Sequence, residues 1–383
     1  MDERKMILEM LKEGQITSEE AIRLLDALGA QDKGKGKPGK HEKLFTFDAD
    51  KAKEGWEEVE KTIGGFVSNL ANTVTNIFDE DLVFNFKGAF DSFTRRDERA
   101  MPAEGKVELE VFNKNGRIEI LPTEEDTLVF ESKVFHKNLE VAEDTRFYDI
   151  IEENGRIVYR AHENEELKRK FYVEVKLFVP KESLSRLELN TTNAALSVEG
   201  LQADDIRLIT KNGKITAKQM SGDRLRMESS NARLELADSQ INQVDLKTSN
   251  GKVTLEEIEA DSIVVNTSNA RIETAKLHAE SISLSTSNGT VISTDIASER
   301  LEEGHFTCTN GKIELAFDDM NKEAELDLHT SMGNIDLQLP LALLYESNPS
   351  QNAKSVKAHT ENYSPENGVS IFARTSNGNI TLR

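Results

Sequence analysis

A single cysteine, Cys308, occurs in the 383 residues, so no disulfide can close within the chain, and this suits a reducing compartment. Nowhere is there a run of about 18 apolar residues, so no segment reads as a membrane-spanning helix. Positive charge is in short supply. Lys and Arg number 48 against 69 Asp and Glu, for a net charge of -21. That balance argues against nucleic acid as a partner, because gripping a phosphate backbone takes dense Lys and Arg. The hydrophobic fraction, 37%, is low for a compact domain and fits thin stacked layers better. Catalytic signatures are missing too: no glycine-rich loop ending in GK[ST], no HExxH, no GxSxG and no CxxC. His41, His136, His162, His278, His305, His329 and His359 are scattered without metal-ligand spacing. The expectation is a protein without catalytic residues, cofactor or metal. The opening MDERKMILEMLKEG lacks a charged-then-apolar leader layout. It is expected to be cytoplasmic and membrane-associated, with the cell surface, reached without a recognisable signal peptide, as the alternative.

Four regions follow from the pattern. Residues 1–30 read as a small helical hairpin. Met6, Ile7, Met10 and Leu11 share one face, Gly14 ends the first helix, and Thr17 or Ser18 caps the second. Ala21, Ile22, Leu24, Leu25 and Leu28 form the second stripe, and helices this short need a partner, which predicts self-association or docking. Residues 31–43 are a Lys/Gly linker.

Residues 44–100 read as an amphipathic helical region. Apolar residues fall at Ala52, Trp56, Val59, Ile63, Phe66, Leu70, Val74 and Ile77, with Phe78 following, at steps of three and four. Thr62 to Phe78 carries no charge. Bulky apolar residues opposite small uncharged ones suit a helix that inserts into a lipid surface, and they suit equally a helix packed on a partner. Trp56, Ile63, Phe66, Leu70, Val74, Ile77 and Phe78 are therefore the candidate membrane or partner contact.

Residues 101–383 read as β-structure, with 101–190 as capping strands and 191–383 as repeats. Asn followed by Ala or Gly recurs at Asn193, Asn212, Asn231, Asn250, Asn269 and Asn288, every 19 residues. The interval widens to 22 at Asn310 and at Met332-Gly333, and a last copy stands at Asn377-Gly378. Leu196, Ile215, Leu234, Val253, Ile272 and Val291 keep the same register, as do Ile206, Leu225, Val244, Ile263, Ile282 and Leu301. Each unit thus holds two short strands with alternating faces. A meander of Asn-Gly hairpins is one solution. A β-solenoid is the other, and Ala at alternate corners favours it, since type I′ hairpins need positive φ there. Stacked Asn side chains could then bond coil to coil.

Stacking predicts ladders of like residues. Lys214, Arg233, Lys252 and Arg271 share one column, which Lys312 repeats. They are the candidate anion-binding ladder, with Glu235 and Glu273 two positions along able to neutralise it. Asp204, Asp223, Asp261, Glu280 and Glu299 share another, either a divalent-cation column or turn chemistry.

The segment ILEMLKEGQITSEEAIRLLDAL, Ile7 to Leu28, resembles the amino-terminal SHOCT-like domain of the YvlB/LiaX family of Gram-positive bacteria. The TSNGKVTL and TSNARIET repeats are similar to the adhesin-type domain of unknown function that follows it there. The resemblance implies a non-enzymatic binding and regulatory scaffold in the cell-envelope stress response, including the response to antimicrobial peptides. Partners would be envelope-stress membrane proteins or the membrane surface. The alternative is an adhesin-like structural protein binding anionic cell-wall polymer.

Overall fold

The computed structural model describes residues 91–102, 105–136, 145–162, 171–318, 320–345 and 354–383. These residues form strands and connections, with no helix among them. The hairpin expected over 1–30 and the stripe from Trp56 to Phe78 lie outside the described residues. Residues 91–100, read from sequence as the end of the helical region, form a strand instead. Their alternating exposure follows the period of two that a strand imposes, here along the edge of a sheet.

The first strands are β1 (Asp91–Ala100), β2 (Val107–Phe112), β3 (Ile118–Thr123), β4 (Thr127–His136), β5 (Tyr148–Glu153), β6 (Arg156–Ala161) and β7 (Phe171–Pro180). Repeating coils follow: β8 (Leu184–Asn190), β9 (Leu196–Glu199), β10 (Ala203–Ile209), β11 (Ile215–Lys218), β12 (Ser221–Glu228), β13 (Leu234–Lys247) and β14 (Val253–Glu259). They continue through β15 (Ser262–Thr267), β16 (Ile272–His278), β17 (Ser281–Thr286), β18 (Val291–Ile296), β19 (Glu303–Cys308) and β20 (Ile313–Phe317). The chain closes with β21 (Ala324–Thr330), β22 (Ile335–Leu337), β23 (Leu343–Tyr345), β24 (Ser355–Thr360), β25 (Val369–Thr375) and β26 (Ile380–Leu382).

Two parallel ladders run up the stack. One joins β7, β3, β9, β11, the first half of β13, β14, β16, β18, β20, β26 and β22. The other joins β6, β2, β8, β10, β12, the second half of β13, β15, β17, β19, β25 and β21. This is the β-solenoid, one unit per coil. Each strand turns alternate side chains inward, so Ile206, Leu225, Val244, Ile263 and Ile282 stack at 0–2% exposure. The hydrophobic effect of burying such columns drives the stacking. The column passes next to Gly304 and not to Leu301, because the three extra residues of the longer period lie before β19.

Stacking order departs from chain order at both ends. At the amino end β2–β3 is sandwiched between the later coils β6–β7 and β8–β9. The stack thus includes β2 and β3, further toward the amino terminus than the period reaches. Antiparallel strands then cover that end: β4 on β7, β1 on β4 and β5 on β6. At the other end β24 pairs antiparallel with β21, and β23 with β24. Such additions cover open strand edges that would otherwise template further pairing.

Candidate functional site

Each coil turns at two corners, and the first is the asparagine corner. Asn193, Asn212, Asn231, Asn250, Asn269, Asn288, Asn310 and Asn377 each donate the side-chain amide to the Asn oxygen of the coil before, at 2.6–2.8 Å. The ladder begins at Asn115 and, in stacking order, stops at Met332, which is 75% exposed.

Beneath it runs a buried hydroxyl column that the sequence reading missed: Thr191, Thr210, Ser229, Thr248, Thr267 and Thr286, continued by Cys308, Thr375 and Thr330. Its signal was present, two residues before each Asn. The hydroxyls accept from the corner N–H, as at Gly213, Ala232 and Gly251 (3.0–3.2 Å).

What they donate to alternates. Below the Gly corners, Thr248 and Thr286 reach the carbonyls of Ala232 and Ala270 in the preceding coil. Below the Ala corners, Ser229 and Thr267 reach Lys211 and Ser249, the residues just before the preceding Asn. The reason lies in the space. A Cβ at Gly213 or Gly251 would stand 1.7 Å from the carbonyl of Ala194 or Ala232, so those corners admit glycine alone. Alternation of NGKxT with NARxE from Asn212 to Glu273 is therefore a two-coil repeat.

In the six successive coils from β9 to β18 the second corner carries positive φ: Gly200, Gln219, Asp238, Glu257, Lys276 and Asp295, at 50–68°. Non-glycine residues pay strain there. Flanking main-chain bonds, such as Gln219 to Ala237 and Ala260 to His278, hold the turn in place.

Lys214, Arg233, Lys252, Arg271 and Lys312 do form one outward column. Its charges are arranged in triads. Lys214 and Arg233 share Glu235 (2.7 and 3.5 Å), Lys252 and Arg271 share Glu273, and Lys312 pairs with Glu314. The Lys252 hydrogen bond holds the Glu273 carboxyl below its usual pKa. Two cations against one carboxylate leave excess positive charge on every second coil.

The acidic column stacks as well, and Arg300 spans it, meeting Asp261 at 3.1 Å and Glu280 at 3.0 Å. Asp204 pairs with Lys106, and Asp223 accepts from Asn242. Among the described residues no group of His, Cys, Asp or Glu is placed to hold a metal ion. Cys308 is buried, donates to the Gly289 carbonyl at 2.9 Å, and has its pKa raised by burial, so it stays a thiol and not the nucleophilic thiolate. One hollow at the surface is lined by Asp238, Gln240, Glu257, Ile258, Lys276 and His278.

Residues 107–383 match the family described as Toastrack DUF4097. The chain belongs to the Toastrack family. Residues 2–33 of this Toastrack protein match a SHOCT-like domain, where sequence placed the helical hairpin. A crystal structure of a candidate cell adhesion protein from Clostridium sporogenes is similar at 12% identity, covering 76% of this chain and 99% of that one, with a TM-score of 0.18. No curated protein matches the chain. Both domain types fit the YvlB/LiaX resemblance. Among the described residues of the Toastrack domain no helix is long and apolar enough to cross a membrane.

Proposed function

We propose that this Toastrack protein is a non-enzymatic scaffold of the cell-envelope stress response. Its solenoid offers a rigid surface, while residues 56–78 make the contact with the membrane or an envelope-stress membrane protein. The observation that carries the reading is the amide ladder from Asn115 to Asn377, which ties each coil it passes through to the next, beside an outward column of Lys–Glu–Arg triads. Fixed spacing is what a presenting surface needs, and the Thr62 to Phe78 stripe supplies an apolar contact. Co-sedimentation with anionic phospholipid vesicles tests it. Wild-type chain is expected to pellet with the vesicles, and Phe66→Asp and Leu70→Asp to stay in the supernatant. Equal pelleting of all three, or of none, overturns the membrane contact.

The two Lys–Glu–Arg triads favour a second reading, an adhesin-like protein that holds anionic cell-wall polymer along Lys214, Arg233, Lys252 and Arg271. Replacing all four with Gln should abolish pelleting with purified cell wall. Unchanged pelleting, or recovery of the protein only in the cytosolic fraction of cells, removes this reading.

A further inference from the structure

The coil formed by β25 and β26 comes last in the chain but not last in the stack. β25 lies between β19 and β21, and β26 between β20 and β22, parallel on both sides. It occupies a slot whose two walls both precede it in sequence. We propose that this coil, residues 369–383, exchanges between copies of the chain, each filling the slot of the other to give a strand-exchanged dimer.

The columns show why an emptied slot is not simply closed. Glu303, Ser370 and Glu325 lie in one column, and Glu314, Thr381 and Asp336 in another. Moving β21–β22 down by one step would set Glu303 directly against Glu325 and Glu314 against Asp336, about 4.8 Å apart. Like charges directly opposite on neighbouring strands are destabilising. The inserted coil places a hydroxyl between each pair of carboxylates.

The slot is matched to that coil in other ways. Val369, Ile371, Ala373, Ile380 and Leu382 enter it at 0% exposure. Asn377 adds a rung by donating to Asn310 at 2.6 Å, whereas direct closure would bring up Met332 and end the ladder there. Empty, the slot presents unpaired strand edges on both walls, the most reactive surface a sheet offers.

The occupant is a second copy because the fit is to this sequence, and every copy carries it. An identical element docked from a neighbour makes the same contacts at little cost, provided the connection can open. That connection is the turn around Pro365, where the N–H groups of Asn367 and Gly368 donate to the Ser364 carbonyl. Extending it would let β25 leave its own slot.

A disulfide reports the exchange. His305 and Phe372 are in-register neighbours across β19 and β25, both outward, with rings 5.5 Å apart. In a Cys308→Ser background, one chain carries His305→Cys and a differently tagged chain carries Phe372→Cys. Denaturing them together and refolding at high concentration should give roughly tenfold more mixed disulfide than mixing the folded chains. The proposal is overturned if mixed disulfides are no more abundant than like-with-like ones while a chain bearing both cysteines oxidises within itself. Light scattering of the unsubstituted chain is the second measurement. A dimer fraction rising with refolding concentration is expected, and monomer at every concentration overturns the exchange.

Discussion

Asn250 donates its side-chain amide to the side-chain oxygen of Asn231 at 2.8 Å, across 19 residues of sequence and one strand spacing. It accepts the same bond from Asn269. Asn250→Asp should therefore be costly, because a carboxylate can accept from Asn269 but cannot donate to Asn231. The expected loss is about 1–3 kcal/mol, read from denaturant unfolding. Asn115→Asp should be nearly silent, since Asn115 only has to accept from Asn193.

Glycine and alanine at the same corner should not be interchangeable. Gly251→Ala drives a Cβ into the Ala232 carbonyl and is expected to cost about 1–3 kcal/mol. Ala232→Gly relieves nothing and removes little, with a loss of about 0.5–1 kcal/mol from backbone entropy. Thermal melts of the two variants should differ in that order, and equal melting would contradict the alternating corner.

Cys308→Thr should be tolerated or mildly stabilising, because Thr holds the same column position in Thr248 and Thr286 and can donate to the Gly289 carbonyl in the thiol's place. In the native wild-type chain, labelling of Cys308 by a thiol reagent near neutral pH should be slow and should speed up on unfolding. Burial removes access, and the raised pKa removes thiolate.

The Lys252–Glu273 pair sets an acid limb. Its hydrogen bond lowers the Glu273 pKa in the fold, so the folded value lies below the unfolded one. The resulting stability is present above the unfolded pKa and is lost as pH falls through the folded value. Glu273→Gln should flatten that limb by roughly 0.2–1 kcal/mol, the range for exposed pairs. Melting temperatures between neutral pH and pH 3 would show no change in slope if the pair contributes nothing.

Much of the coil was legible because stacking repeats local chemistry: the Asn corner, the two strands, and the columns from Lys214 and Asp204 all follow from one spacing. The triads were half visible, since Glu235 and Glu273 stand two positions from their arginines, but the lysine of the coil before, which completes each triad, needs the stack. Three features stayed hidden for physical reasons. Gln219, Asp238, Glu257, Lys276 and Asp295 share a left-handed backbone that no common side chain marks, because main-chain bonds impose it. Strand β1 belongs to a sheet only through β4, a non-local pairing that local pattern does not record. The 22-residue spacing from Asn310 to Met332 reads as two adjacent coils, and it keeps its register even with a later coil between them.

Threading at both ends also limits how such a protein could lengthen during evolution. The coil β2–β3 is held between two later ones, and β21–β22 lies outside a later one, so duplicated sequence added beyond either end meets a cap and not a growing edge. New length has to enter in the middle. Between Asn212 and Asn288 the natural unit of duplication is 38 residues, two coils with one Gly and one Ala corner. A lone 19-residue duplicate would be accepted there only with glycine at its corner, as the succession of Gly289 and Gly311 already illustrates.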